Sequence, residues 1–123
     1  MKVVYNACFG GFSLSDAAMH RYAELKGFQV YPEPWIFGTH FWLSPPTGDE
    51  EADARRKMLV AYDIPRDDET LVQIVEEMGD AASGRCADLQ IEDVPSGTLW
   101  RIDEYDGNER VMAQDAYEWK IAR

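Results

Sequence analysis

The sequence feature that most constrains the fold is an Asp106-Gly107 pair between two strand-like segments, residues 98–105 and 108–113. Asp-Gly is a strong signal for a two-residue β-turn, because both turn positions need positive φ angles. A two-residue turn can join only antiparallel strands. The pair therefore predicts a C-terminal β-hairpin and a sheet that is at least partly antiparallel.

Two segments carry the start and stop signals of α-helices. The first helix is predicted over residues 16–26, after a serine-rich start and before Gly27, because glycine commonly follows a helix end. The second helix is predicted from the acids Asp67 and Asp68, either of which can cap it, to Gly79. Its apolar residues recur at helical spacing: Leu71, Val72, Val75 and Met78.

Runs of β-branched and aromatic residues predict further strands. These runs cover residues 2–9, 28–31, 57–64 and 89–94. Strands and helices do not alternate regularly along the chain, so a doubly wound parallel sheet is disfavoured. We expect a single α+β domain over residues 1–123, with two main helices packed on a mixed or mostly antiparallel sheet.

Three segments are harder to assign. The dense aromatic run at 35–43 predicts either a strand pair bent at Gly38 or an irregular loop that packs on a partner subunit. The polar, turn-rich segment 44–53 predicts a flexible loop. The tail at 116–123 holds three large apolar residues, so we expect it to dock on the domain: Tyr117, Trp119 and Ile121.

The charge balance narrows the possible partners. The net charge is −11, and a field of that sign repels nucleic-acid backbones and anionic membranes. No signal peptide or apolar run of membrane-spanning length is visible, which favours a cytosolic location and reduced thiols at Cys8 and Cys86. Two cysteines and two histidines without close spacing predict neither a zinc site nor a cysteine nucleophile. We therefore expect no cofactor, no metal, and no nucleic-acid duplex or membrane as partner.

The glycine turn at Gly10-Gly11 is the first candidate site. It lies between a predicted strand and a predicted helix, where backbone N–H groups and a helix dipole can bind an anion such as a phosphate. The sequence lacks the lysine and hydroxyl residue of a P-loop and the full dinucleotide fingerprint. A tight structural turn, with Phe9 and Phe12 as core residues, is the alternative.

The terminal hairpin is the second candidate site. Arg101 and Arg110 lie close to the turn residue Asp106, with aromatic residues nearby at Trp100 and Tyr105. A guanidinium can hold a phosphate and an aromatic ring can stack on a base. The same composition also suits an ordinary exposed ribbon, so both interpretations stay open.

Several stretches resemble a family of small phage and prophage proteins. They read KVVYNACFGGFSLS at 2–15, RYAELKG at 21–27, IPRDDETLVQIVEEMG at 64–79 and WRIDEYDGNE at 100–109, and with the strand LQIEDVP they cover roughly half the chain. This family is similar to the first type of Thoeris anti-defence protein. The resemblance implies a small oligomeric α+β protein that sequesters a cyclic ADP-ribose signal, including the glycocyclic form, without cleaving it. Some members also sequester the cyclic oligonucleotides of CBASS defence.

The resemblance also implies ligand-binding residues. Asp106 matches a ligand-contacting acid in the family's Asp-Gly turn, whereas Asn108 stands where a basic residue is expected. Arg110 is the nearest arginine, and Arg21 is a second choice for a phosphate contact. The remaining candidates flank the glycine turn or lie on the hairpin: Asn6, Phe9, Gly10, Gly11 and Arg101.

Two other functions remain possible on the sequence alone. The charge of −11 also suits a DNA-mimicking or protein-blocking inhibitor of a host nuclease, of the anti-restriction or anti-CRISPR type. A small hydrolase or phosphodiesterase acting on the same signal is the other, although we recognise no acid–base or metal motif for it. We expect a binding protein rather than an enzyme.

Overall fold

The computed structural model describes residues 1–114 and residue 122. The predicted docking of the tail through Tyr117, Trp119 and Ile121 lies outside the described residues. Within residues 1–114, six strands and three α-helices follow one another in the order β1 (Lys2–Asn6), α1 (Asp16–Lys26), β2 (Tyr31–Trp35), β3 (Gly38–Trp42), α2 (Glu50–Ala54), α3 (Glu69–Met78), β4 (Leu89–Asp93), β5 (Trp100–Tyr105) and β6 (Asn108–Ala113). Short 3₁₀ segments lie at Ala61–Asp63 and Gly79–Ala82.

The fold class is α+β, as predicted, and every strand pair is antiparallel. The strands form three two-stranded sheets, β1–β4, β2–β3 and β5–β6, rather than one continuous sheet. The C-terminal hairpin is confirmed, with Tyr105 opposite Asn108 across the turn. Strands β1 and β6 lie beside each other without forming a shared sheet. At the end of β1, the Asn6 N–H donates to the side-chain carboxylate of Glu109 at 2.9 Å and not to a backbone carbonyl of β6.

The two main helices begin and end where the sequence predicts. The Ser15 hydroxyl caps α1 by accepting the Ala18 N–H at 3.1 Å, and Gly27 follows the helix with a φ of 78°. The Asp68 carboxylate caps α3 by accepting the Leu71 N–H at 3.0 Å. Helix α3 contacts α1 on one side and β1 and β4 on the other, so the core lies between the helices and this strand pair. Its buried members include Val4, Leu14, Tyr22, Phe41, Leu71, Ile74 and Leu89.

Some predicted elements differ from those observed. The first strand ends at Asn6 instead of residue 9. The strand predicted at 28–31 is instead β2, which begins at Tyr31 and includes Pro32 and Pro34. Proline is tolerated there because β2 pairs on one side only, with β3, so a missing N–H can face the free edge.

Two central segments also differ in part from their predicted structure. Residues 57–64 form no strand, because only Met58 makes a bridge, to Trp42, before the chain turns into 3₁₀ geometry. The polar segment 44–53 is not a featureless loop. The Asp53 carboxylate accepts the Thr47 N–H at 2.7 Å, and Asp49 caps the short helix α2.

Candidate functional site

The two turns that the sequence singles out lie against each other. A methyl group placed on Gly107 would come within 2.5 Å of the Gly11 nitrogen and 2.7 Å of the Phe9 carbonyl oxygen. The hairpin turn therefore rests directly on the backbone of the glycine turn. The two candidate sites become one region, although nearly one hundred residues separate them along the chain.

The turn chemistry explains why the hairpin can approach so closely. Asp106 and Gly107 have φ angles of 50° and 84°, as a mirror-image turn requires. The Glu104 carboxylate accepts the Gly107 N–H at 3.0 Å and holds the turn from the strand side. Because Gly107 carries no side chain, its backbone can touch Gly11.

The buried Asn6 side chain links the two turns through hydrogen bonds. It is fully buried, and its amide nitrogen donates to the carbonyl oxygens of Cys8 at 2.7 Å and Gly107 at 2.8 Å. Its side-chain oxygen accepts the Asp88 N–H at 2.8 Å. All its main side-chain hydrogen-bonding positions are thus used within the protein. The sequence suggested Asn6 as a ligand-contacting wall, but the structure places it in the scaffold beneath the turns.

A buried ion pair anchors the returning strand. Glu109 is only 4% exposed, and its carboxylate accepts hydrogen bonds from the Arg66 guanidinium and the Asn6 N–H. The Arg66 guanidinium also lies 3.6 Å from the centre of the Phe12 ring. Removing either charge would leave the other buried without an opposite charge, so the pair holds β6 in one position. Sequence reasoning missed Arg66, and no local pattern distinguishes it from a surface arginine.

A cleft of about 330 Å³ opens on the outer side of this junction. We call it the hairpin cleft, and its lining comprises Phe9, Asp103, Glu104, Tyr105, Asn108, Glu109 and Arg110. The Phe9 and Tyr105 side chains are 60% and 79% exposed, so their rings are available to a ligand. Phe9 was weighed as a core residue, and its exposure favours the wall position instead.

Some charged groups of the hairpin cleft have partners within the protein, and one forms no ion pair. Asp103 pairs with Arg101 at 3.0 Å, and the Glu104 carboxylate is held by the turn. Arg110 lies opposite Asp103 in the strand register, and it makes no ion pair within residues 1–114. A guanidinium in this state can bind an incoming phosphate without first breaking an internal pair.

The other predicted residues lie in different environments. Gly10 is packed against Cys86, where any side chain would overlap, whereas the side of Gly11 is open. Arg21 lies on α1 and pairs with Glu24 at 3.0 Å and with Glu77 at 3.8 Å. It does not line the hairpin cleft. The structure therefore brings Phe9 and Arg110 together beside Gly11 and Asp106, but not Arg21.

The glycine turn does not lead straight into a helix, as the anion-site interpretation required. Between them, Leu14 forms a bridge with Ser83, and the Gly84 N–H donates to the Ser13 carbonyl oxygen at 3.0 Å. The start of α1 is occupied by its own cap, Ser15. The turn therefore supports the hairpin and does not resemble a phosphate-binding loop.

A larger concavity, which the sequence did not reveal, lies elsewhere. It measures about 920 Å³ and runs between the start of α1, the β2–β3 hairpin, residues 58–61 and residues 84–86. Trp35 stacks on His40 with ring centres 4.5 Å apart and meets Phe37 edge-on at 5.0 Å. We call this concavity the aromatic groove. The aromatic run at 35–43 was the only sequence signal for it.

The part of the chain that the structure describes contains no group of three His, Cys, Asp or Glu residues placed to hold a metal ion. Cys8 and Cys86 are both free thiols. No helix within the described ranges has the length and apolar character needed to cross a bilayer.

Comparisons with protein-family models, curated proteins and solved structures find no match to this chain.

Proposed function

We propose that this protein binds and sequesters a small cyclic nucleotide signal in the hairpin cleft without cleaving it. The observation that supports this proposal is the meeting of the two turns. It gathers two exposed aromatic rings and an arginine that forms no ion pair with the described residues around one cleft: Phe9, Tyr105 and Arg110.

Each part of a nucleotide has a complementary group in the cleft. The Arg110 guanidinium suits a phosphate, and the rings of Phe9 and Tyr105 suit the face of a base. The carboxylates of Asp103 and Glu104 would repel phosphate but can accept hydrogen bonds from ribose hydroxyls. A ligand that carries both phosphate and ribose therefore fits better than inorganic phosphate or a simple dianion.

The size of the cleft suggests how such a ligand would lie. A volume of about 330 Å³ is near the lower end for small-molecule sites, which span roughly 300–1,000 Å³. One nucleotide unit would occupy the cleft, and the rest of a cyclic dinucleotide or cyclic ADP-ribose would extend over its rim. The exposed ring of Tyr105 lies at that rim and would cover the extension.

Sequestration fits this cleft better than hydrolysis does. A general base must be free to take a proton from the attacking group. Here Glu109 is engaged by Arg66 and Asn6, Glu104 by the Gly107 N–H, and Asp103 by Arg101. Carboxylates held in this way orient a ligand more readily than they activate water. The role suggested by the resemblance, evasion of a cyclic-nucleotide immune signal in the cytosol of a host bacterium, requires no more than this.

The proposal is tested by titration calorimetry of two matched arginine variants against cyclic ADP-ribose isomers and cyclic di- and trinucleotides. Arg110→Ala should weaken binding by about tenfold to a hundredfold, since a charge-assisted hydrogen bond contributes about 1.5–3 kcal/mol. Arg21→Ala, which changes the net charge equally on a paired arginine of α1, should bind like the parent. Equal affinities for the parent and Arg110→Ala would exclude the hairpin cleft as the site.

An inhibitor of a host nuclease is the second candidate function. The net charge of −11 favours it, as do the exposed acids on the outer face of α3: Glu69, Glu76 and Glu77. Two of these acids are partly neutralised, Glu76 by Lys2 at 2.8 Å and Glu77 by Arg21 at 3.8 Å. This function predicts a tight protein complex and no affinity for any nucleotide, so the same titrations separate the two candidates.

A further inference from the structure

The tip of the β2–β3 hairpin carries large apolar side chains in solvent. Ile36 and Phe37 occupy the turn and are 87% and 78% exposed. Turn positions normally hold glycine, which adopts unusual backbone angles, or asparagine, aspartate or serine, whose polar side chains hydrogen-bond the nearby backbone. Trp35, at the end of β2, is also exposed. Nothing in the described part of the chain covers these side chains, so they favour contact with another molecule.

Residues 35–37 at this tip form one wall of the aromatic groove. Its floor is formed by core residues such as Met19 and Phe41, and its rim includes the exposed side chains of Met58 and Val60. The protein therefore presents an apolar projection and an apolar recess on one face. A surface with both features is self-complementary, which a twofold interface between identical chains requires.

Side chains, rather than strand pairing, must form such a contact. Among the described residues, strand β2 pairs on one side only, and Pro32 and Pro34 lack the N–H groups that would face its other edge. A strand from another chain therefore could not extend this sheet through those positions. Proline on an edge strand is a common protection against sheet extension.

Charge favours a second copy as the occupant. The chain carries a net charge of −11, so most of its surface repels an identical chain and attracts a basic partner. The aromatic groove is different, because its charged lining residues are one acid and one base, Asp16 and Arg85. Two copies therefore meet with little repulsion across this face, whereas a basic partner would bind the acidic surfaces elsewhere.

We propose that two copies of this chain associate through this face, with the Ile36–Phe37 tip of each copy packed into the aromatic groove of the other. A large side chain buries about 150–250 Å² when fully covered, so the exposed parts of the tip and rim residues amount to roughly 500 Å² per copy. Together with the groove walls this approaches the roughly 800 Å² per partner of a standard interface. The inference is independent of the hairpin cleft, because the two regions share no lining residue.

Sedimentation velocity of the full chain under reducing conditions, over a range of concentrations, tests the proposal. The native chain should form a species of twice its 14.0 kDa mass. Phe37→Asp places a carboxylate from each copy in the interface and should weaken dimerisation at least tenfold. The matched control is Leu99→Asp, at another exposed apolar residue (70% exposed) outside the groove, and it should dimerise like the parent. A native chain that stays monomeric, or a dimer weakened equally by both variants, would overturn the proposal.

Salt provides a second test that needs no variant. Added salt screens the repulsion between two acidic chains but leaves apolar contacts intact, so dimerisation should strengthen between about 0.05 and 0.5 M salt. A dimer that weakens with salt would be held by charge pairs, and the proposed face would then be wrong.

Discussion

Asn6 shows how one side chain can hold two distant parts of the chain. Its amide bonds the Cys8 and Gly107 carbonyl oxygens and the Asp88 N–H, all from a fully buried position. The sequence suggested a ligand contact only because Asn6 precedes the glycine turn. Two of its three partners, Asp88 and Gly107, lie 82 and 101 residues away, so no local pattern could have revealed them.

Replacement of Asn6 should therefore cost stability rather than a ligand contact. Asn6→Ala leaves one N–H and two carbonyl oxygens, all in partly buried hydrogen bonds, without partners, and each such group costs about 1–3 kcal/mol. We expect the free energy of unfolding to fall by about 3 kcal/mol or more in urea titrations. The control, Gln90→Ala, removes an exposed amide and should change it by less than about 0.5 kcal/mol. Near-equal midpoints for the two variants would contradict the scaffold role.

Among the elements, the two long helices were the best predicted. Their ends depend on caps within four residues, such as Ser15, Asp68 and Gly27, and such signals are visible locally. Strand β2 and segment 57–64 were predicted wrongly because pairing depends on distant partners. The prolines of β2 suit an edge strand, and residues 57–64 find no strand to pair with beyond Trp42.

The Asp68 cap of α3 should make the free energy of unfolding depend on pH in the acidic range. Burial raises the pKa of the Asp68 carboxyl, but hydrogen bonds from the Leu71 N–H and Lys26 lower it by more, so its pKa lies below the ordinary value. Because the folded-state pKa is depressed, this carboxylate stabilises the protein above its unfolded pKa of about 3.9. That contribution is lost as the pH falls through the folded-state pKa.

Urea midpoints measured from about pH 6 to pH 2 check this expectation. Asp68→Asn keeps a capping side chain but loses the charge, so it should be about 1 kcal/mol less stable near pH 6 and lose less stability on acidification. The exposed neighbour provides the control, and Asp67→Asn should follow the parent curve. If Asp68→Asn declines as steeply as the parent, the carboxylate is not the source of the acid dependence.

The hairpin turn offers a matched pair of glycines. Gly97 and Gly107 both have a φ of 84°, but a Cβ at Gly97 meets nothing within 4 Å. Gly97→Ala should therefore show only the backbone cost of about 1 kcal/mol. Gly107→Ala adds a clash with Gly11 and Phe9, so it should lose at least 1–3 kcal/mol more. It should also disturb the hairpin cleft, and equal unfolding free energies would show that the turns do not touch.

At the scale of the whole molecule, the arrangement of the turns was not predictable. The glycine turn and the Asp-Gly turn were each recognised from the sequence, but their contact depends on β1, β4 and the buried Arg66–Glu109 pair. The aromatic groove likewise needs four separate segments to form. Local chemistry is thus visible in the sequence, whereas the shape that combines it comes from packing between distant segments.

The most direct test of the central claim is a thermal-shift titration with cyclic ADP-ribose isomers and cyclic di- and trinucleotides, followed by analysis of the recovered ligand. A ligand that binds only the folded state raises the melting temperature, and at a hundred times Kd the stabilisation is about 2.7 kcal/mol. We predict a saturable rise with at least one cyclic nucleotide, smaller for Arg110→Ala, and chemically intact ligand at the end. No shift with any cyclic nucleotide, or recovery of a cleaved product, would contradict sequestration in the hairpin cleft.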